Sequence, residues 1–396
     1  MMKRFALWLI LVGLLYGLLE ATSLAGLFVL SKFRHWDFDP VDVLRPMHAA
    51  AVERILEGDL HYTVADAELG WAIKPDGRSA LYQANSAGMR RSSEITREAA
   101  PGKRRLAAYG DSFTHSDEVG NPDTWESQLE DRDSRLEVLN FGVGGYGVDQ
   151  AFLRYQGMSP KFPAEMVLIG FMSENVYRHV NRYRPFYARE TGIVMGKPRF
   201  LLRDGALVVL PNLLRDTGDY QQLLSAPESS FQRLGENDHF YRYRYHSGAW
   251  DWSPSVRLFR MLAYELSADT AHRRIIGEHG YVADSEALTV TEALLQAFVD
   301  RVQADGARPL VLVFPNHRDV VDFRDAGTRT YQLLLDDLDR RGIDYIDLMP
   351  AFAGAAIEKV FQRHYTAYGN ALVADYLIPE LRKRLGPAGV DTSATH

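Results

Sequence analysis

From residue 104 onward the chain alternates short apolar runs with stretches of helical period. Leu106–Tyr109, Leu136–Phe141, Met166–Phe171, Pro309–Phe314 and Tyr345–Leu348 are runs of four to six residues. Continuous apolar runs of that length are the pattern of strands buried on both faces of a parallel sheet. Between the fourth and fifth runs, Tyr331, Leu334, Leu335 and Leu338 fall on one face of a helix that stops at Gly342. Val290, Leu294, Ala297, Phe298 and Val302 make a similar stripe before the fourth run. Strands alternating with helices predict an α/β fold with parallel pairing and right-handed crossovers. Ligands in such sheets bind beyond the carboxyl ends of the strands.

The start of the chain has a different pattern. Phe5 to Leu30 is a stretch of 26 residues with one charge, Glu20. About 20 apolar residues span a bilayer. Lys3 and Arg4 ahead of the span favour a cytoplasmic N-terminus, although Lys32 and Arg34 beyond it weigh the other way. The run is longer than a signal h-region and shows no obvious small-residue cleavage site, so it reads as an uncleaved single-pass anchor, residues 1–31. The rest of the protein is then extracytoplasmic, in a periplasm if the source is Gram-negative. An ionisable residue inside a span marks a functional group or a contact with a partner helix. Gly13-x-x-x-Gly17, one turn before Glu20, would suit such a helix–helix partner.

Residues 32–103 read as a lead-in packed on the catalytic region or holding it off the membrane. Residues 104–390 read as the catalytic region, with an insertion at about 177–285. The tail from Gly386 to His396 reads as mobile.

Composition narrows the chemistry. A net charge of −7 over 396 residues gives the whole chain no pull toward nucleic acid. The absence of cysteine removes disulfides, thiolate catalysis and Cys-based metal sites together. No cofactor and no metal are expected.

One stretch stands out for its chemistry. Gly110-Asp111-Ser112-Phe113-Thr114 directly follows the first apolar run. A serine at the C-terminal end of a strand, at the opening of a helix, is presented as a nucleophile with its own N–H free to hold an oxyanion. Downstream, Gly142-Val143-Gly144-Gly145-Tyr146-Gly147 follows the second run, Ser173-Glu174-Asn175 the third, and Arg363-His364-Tyr365-Thr366 precedes a helix opened by Gly369-Asn370. The glycines at 142, 144 and 147 also match a dinucleotide fingerprint. The acidic residue that should end the next strand is missing, since Glu165 precedes that run and Glu174 follows it.

Ser, Gly, Asn and His in this order and setting resemble the SGNH (GDSL-type) hydrolases, over about residues 104–175 and 308–385. Asn85-Ser86-Ala87-Gly88-Met89-Arg90 is similar to a segment ahead of the serine block in some membrane-attached relatives. The resemblance implies a three-layer α/β/α fold around a five-stranded, flavodoxin-like parallel sheet. It implies Ser112 as nucleophile, His364 as general base, and the Gly145 N–H and Asn175 amide as oxyanion donors beside the Ser112 N–H. These residue types suit acyl transfer, because a hydroxyl attacks an acyl carbonyl only when a base takes its proton. Donors aimed at the developing oxyanion are worth roughly 3–4 kcal/mol each.

The family usually has Asp three residues before the histidine, and here that position is Phe361. Either His364 works as part of a dyad, or another group orients it: Asp347 and Glu358 are the candidates, with a backbone carbonyl as a further option. The insertion opens with Tyr177-Arg178-His179-Val180-Asn181-Arg182-Tyr183-Arg184 and later carries Phe240-Tyr241-Arg242-Tyr243-Arg244-Tyr245, Trp250 and Trp252. Aromatic faces stack on sugars and arginine binds carboxylates, which makes Arg178, Arg182, Tyr183 and Arg184 candidate substrate contacts and an O-acylated glycan the expected substrate. Alternating Tyr and Arg equally describes a strand with one packed face. A serine esterase or O-acyltransferase is the leading expectation. A lipid esterase or thioesterase, and a non-catalytic scaffold of an envelope polysaccharide system, are the alternatives.

Overall fold

A computed structural model describes residues 1–386. Most of the predicted mobile tail, and the end of the 104–390 region, lie outside them.

The central sheet has five strands: β1 (Arg104–Tyr109), β2 (Leu136–Asn140), β3 (Met166–Met172), β4 (Arg308–Phe314) and β5 (Tyr345–Asp347). All pair in parallel, in the order 2-1-3-4-5, the doubly wound arrangement of the flavodoxin-like fold. Every residue of β3, the middle strand, is buried, which is why its sequence shows an unbroken apolar run and no alternation.

Seven of the helices carry the site and its surroundings: α1 (Met2–Arg34), α2 (Ser112–His115), α3 (Val148–Met158), α4 (Asn175–His179), α5 (Pro254–Glu265), α6 (Glu286–Ala304) and α7 (Ala367–Leu385). The stripe Val290, Leu294, Phe298 and Val302 of α6 is buried. The Tyr331–Leu338 stripe lies on Gln332–Arg341, which ends as predicted at Gly342 in the left-handed region, φ +66°. α1 is the one helix among the described residues long and apolar enough to cross a membrane.

The lead-in mixes helix and strand. It contains a helix, Pro46–Leu56, before a hairpin of Thr63–Asp66 and Gly70–Ile73. It also reaches the sheet: Trp71 Nε1 donates to Gly144 O at 2.9 Å and the Arg90 N–H to Asn140 O at 3.1 Å. In the insertion, Phe240–Tyr245 does not form a strand. Asp238 caps the N–H groups of Phe240 and Tyr241, and His239–Tyr243 closes into a short helix. A side-chain cap supplies the acceptor that those first helical N–H groups lack.

Candidate active site

β1 ends at Tyr109 and the chain turns at once into α2, whose first residue is Ser112. The turn is very tight. A Cβ at Gly110 in β1's exit, or at Gly170 in β3, would land on Thr114 Oγ1, and one at Gly142 would land on the backbone of His115. Three glycines on three segments therefore let α2 lie directly on the sheet edge. Asp111 caps α2 through Oδ1, which accepts from the Phe113 N–H at 2.9 Å. Its Oδ2 accepts from Asn175 Nδ2 at 2.8 Å and from Arg178 Nη1 at 3.2 Å. The buried aspartate of the Gly-Asp-Ser block thus ties the serine turn to the exit of β3.

Ser112 is buried, yet among the described residues its N–H and Oγ engage no hydrogen-bond partner. The Gly145 N–H likewise has no acceptor among them. Gly145 has φ +83°, and a Cβ there would meet Ile193 Cδ1 at 2.7 Å and Arg184 Nη1 at 3.2 Å. Glycine is required here both for the left-handed backbone and for the close approach. Asn175 Oδ1 accepts from the Met172 N–H at 3.3 Å. With Nδ2 on Asp111, its amide is held firmly and one amide hydrogen is already committed.

His364 stands at the mouth of the same turn. Its ring meets Phe113, the residue after Ser112, at 5.1 Å between centroids. The loop that presents it is anchored on both sides. Phe361 and Tyr365 pair as a bridge, and Tyr365 packs on Phe113 at 4.8 Å and donates its hydroxyl to Pro315 O at 2.6 Å. Ser116 Oγ, at the end of α2, donates to Asn370 Oδ1 in α7 at 3.1 Å.

His364 Nδ1 lies 3.1 Å from Glu118 Oε1. Its Nε2 engages no group among the described residues. A ring whose Nδ1–H donates to a carboxylate carries its lone pair on Nε2, the state a general base needs.

The two acids expected to orient His364 lie elsewhere. Asp347 accepts from Arg329 Nε at 2.8 Å and from the Tyr331 hydroxyl at 2.9 Å. Glu358 is exposed on a short helix, Ile357–Val360. Phe361, at the family's acid position, is a core residue between His317, Phe352 and Tyr365. The acid that meets His364 is Glu118, on the serine's own loop in Ser112-Phe113-Thr114-His115-Ser116-Asp117-Glu118. The adjacent acids Asp117 and Glu118 were the sequence signal that could have found it.

Behind Glu118 the loop is braced by the lead-in. Arg90 Nη1 donates to the carbonyls of His115 and Ser116 and Nη2 to that of Val119. His115 is itself buried between the Tyr62 hydroxyl at 2.7 Å and Asp117 Oδ1 at 2.6 Å. Burial, reinforced by the Arg90 charge, pushes its pKa down to about 4, so it stays neutral as a structural residue.

The arginine cluster of the insertion divides. Arg178 Nη1 also donates to Tyr146 O at 2.6 Å, and Arg184 Nη1 donates to Gly145 O at 2.9 Å, so both border the oxyanion loop. Arg182 turns away to Pro211 O at 2.6 Å, and Tyr183 packs in the insertion's interior against Phe186 and Phe231. Unlike Arg178 and Arg184, Arg182 and Tyr183 make their contacts within the insertion and not at the serine turn.

Among the described residues no group of three or more His, Asp or Glu could hold a metal ion. No family model matches the chain, and no curated protein is significantly similar to it. Solved structures do match. One is a member of the lipolytic protein G-D-S-L family from Veillonella parvula, at 10% identity over 71% of this chain and 99% of that one, with a TM-score of 0.35. The psychrotrophic esterase EstA from a Pseudoalteromonas species matches at 12% identity over 72% and 99%, with a TM-score of 0.36. The lipase/acylhydrolase from Enterococcus faecalis matches at 11% identity over 72% and 100%, with a TM-score of 0.36.

Proposed function

We propose that the chain is a membrane-anchored serine esterase of SGNH type. The observation that carries this is the state of His364. It sits beside the serine turn with Nδ1 on Glu118 and Nε2 unengaged, where the N–H groups of Ser112 and Gly145 have no acceptors.

Ser112 Oγ attacks the ester carbonyl as His364 Nε2 takes its proton. The oxyanion is held by the N–H groups of Ser112 and Gly145, with the remaining amide hydrogen of Asn175 as third donor. The imidazolium returns the proton to the leaving alcohol, and Glu118 stabilises its charge. Water, activated by the same imidazole, then releases the acid from acyl-Ser112. A sugar hydroxyl in place of water would make the protein an O-acyltransferase with the same residues.

An O-acylated extracytoplasmic glycan is the substrate class we favour. The Tyr241, Arg242 and Tyr243 cluster lines a cavity of about 900 Å³ with His239, Arg273, Arg274 and the acids Asp269 and Glu286, a mixed aromatic and polar lining in which a sugar chain could stack and hydrogen-bond. The orientation places Lys3 and Arg4 in the cytoplasm and the catalytic region outside.

Labelling with a fluorophosphonate probe tests the chemistry: the wild-type chain labels, and Ser112→Ala and His364→Ala do not. Absence of labelling in the wild type would reject the esterase. Acetate release from acetylated polysaccharide is expected to exceed hydrolysis of long-chain lipid esters, and the reverse order would reject the glycan.

A further inference from the structure

Glu20, the single charge of the apolar span, has its partner inside this chain. Its carboxylate accepts from Ser253 Oγ at 2.8 Å, Ser255 Oγ at 2.7 Å and the Ser255 N–H at 3.1 Å. These groups open α5, so a carboxylate meets the positive end of a twelve-residue helix. α5 then follows α1 in the same sense, with Leu258 Cδ2 3.3 Å from where a Cβ of Gly26 would lie. Gly13 and Gly17, expected to pack a partner helix, face open space. The packed part of α1 therefore begins at Glu20.

The outward face of α5 is inverted relative to a helix in water. Its exposed positions are Phe259 (72%), Ala263 and Leu266 (69%), with Trp252 (64%) just before the helix. At 252, 259, 263 and 266 they form one helical stripe, and all four are apolar. Trp250 (67%) lies beside Trp252, ring centroids 6.2 Å apart. The charged residues turn inward: Arg260 pairs with Asp251 and donates to His246 O, and Arg257 lines the cleft between α5 and α1. Leu24 and Phe28 of α1 are exposed as well.

Dimensions fit a lipid neighbour. Arg4 to Lys32 along α1 is about 42 Å at 1.5 Å per residue, close to a whole bilayer with its headgroups, and Arg4 to Glu20 is about 24 Å, near the far edge of the hydrocarbon layer. Tryptophan prefers that edge.

Resting on the membrane reading of α1, we infer that the Trp250–Leu266 segment is a second, non-spanning membrane contact. It lies in the leaflet opposite Lys3 and Arg4, with its apolar stripe against lipid. Glu20 fastens it to the span. Trp250 and Trp252 accordingly face the lipid interface and not a glycan.

The chain has no cysteine, so one introduced thiol carries a unique nitroxide label. The full-length protein would be labelled at Phe259→Cys, Leu266→Cys, Leu14→Cys or Asp204→Cys and reconstituted in phosphatidylcholine–phosphatidylglycerol vesicles. Collision with oxygen and with a nickel chelate is then compared. Positions 259, 266 and 14 should favour oxygen, and position 204, in an exposed turn, should favour nickel. Nickel access at 259 and 266 equal to that at 204 would overturn the inference, as would exclusion of both reagents, which marks a protein neighbour. A label at 14 that behaves like the one at 204 would overturn the span itself and this inference with it. None of these outcomes bears on Ser112 chemistry, which probe labelling reads separately.

Discussion

Glu118 is the residue on which the catalytic reading is most sharply exposed to test. Its carboxylate holds His364 in the tautomer with a free Nε2, so Glu118→Gln should lower kcat for a soluble ester by about 10²- to 10⁴-fold. It should leave the melting temperature nearly unchanged, because the pair is partly exposed (side chains 19% and 21%). A drop in KM alone would contradict the role. Phe361→Asp, which restores the family's residue, should not rescue that variant. It buries a carboxyl among the rings of His317, Phe352 and Tyr365, so it should lower stability instead, read by thermal melting. Ser112, Gly145, Asn175 and His364, the residues of the proposed site, stand out in the sequence because each lies near where a strand ends or a helix opens. Glu118 does not: it is a loop acid whose partner lies 246 residues away. No local periodicity records a contact of that range.

Between elements, the contact that matters most is α2 on the sheet. Gly110 and Gly170 approach Thr114 Oγ1 so closely that neither admits a Cβ, and that hydroxyl has no hydrogen-bond partner. Gly170→Ala should destabilise by about 1–3 kcal/mol through overpacking. Thr114→Ala should recover most of that loss, since it removes the clashing atom and forfeits no hydrogen bond. Urea titration of the single and double variants measures both, and additive losses would refute the contact. The buried strands were readable from the chain within a residue or two of their ends, because burial on both faces writes itself as an unbroken apolar run. Pro46–Leu56 and His239–Tyr243 were not. Their helicity rests on an N-terminal proline in the first case and on the Asp238 cap with tertiary packing in the second, and an aromatic–arginine alternation carries the wrong period for it.

The molecule as a whole carries an acid-sensitive interior. Burial pushes the pKa of His115 to about 4, of His179 to about 3 and of His272 to about 4. Below the unfolded value of about 6.5 the unfolded chain binds protons that the native chain refuses. These three rings therefore lower stability as pH drops from about 6.5 to 4, by up to about 1.4 kcal/mol per pH unit for each residue. Asp238, whose carboxyl burial pushes up to about 6, and Glu126, also pushed up by burial, take up protons in the native state and oppose part of that loss, so the histidine share of the slope in urea midpoints at pH 7, 6 and 5 is read by comparing variants. His272→Phe, at a ring packed between Tyr177 and Phe240, should flatten the decline, and an unchanged slope would count against it. The wide reach of Arg90 has a further consequence. The loop bearing Glu118 is clasped by a guanidinium that arrives before β1 begins, from the stretch that follows the apolar helix α1. A minimal fragment starting at residue 104 would keep every strand of the sheet and lose that clasp. On the proposed esterase reading, trimming the protein to residue 104 should therefore yield a folded chain with slow ester cleavage, and the lead-in would belong to the site and not only to its support.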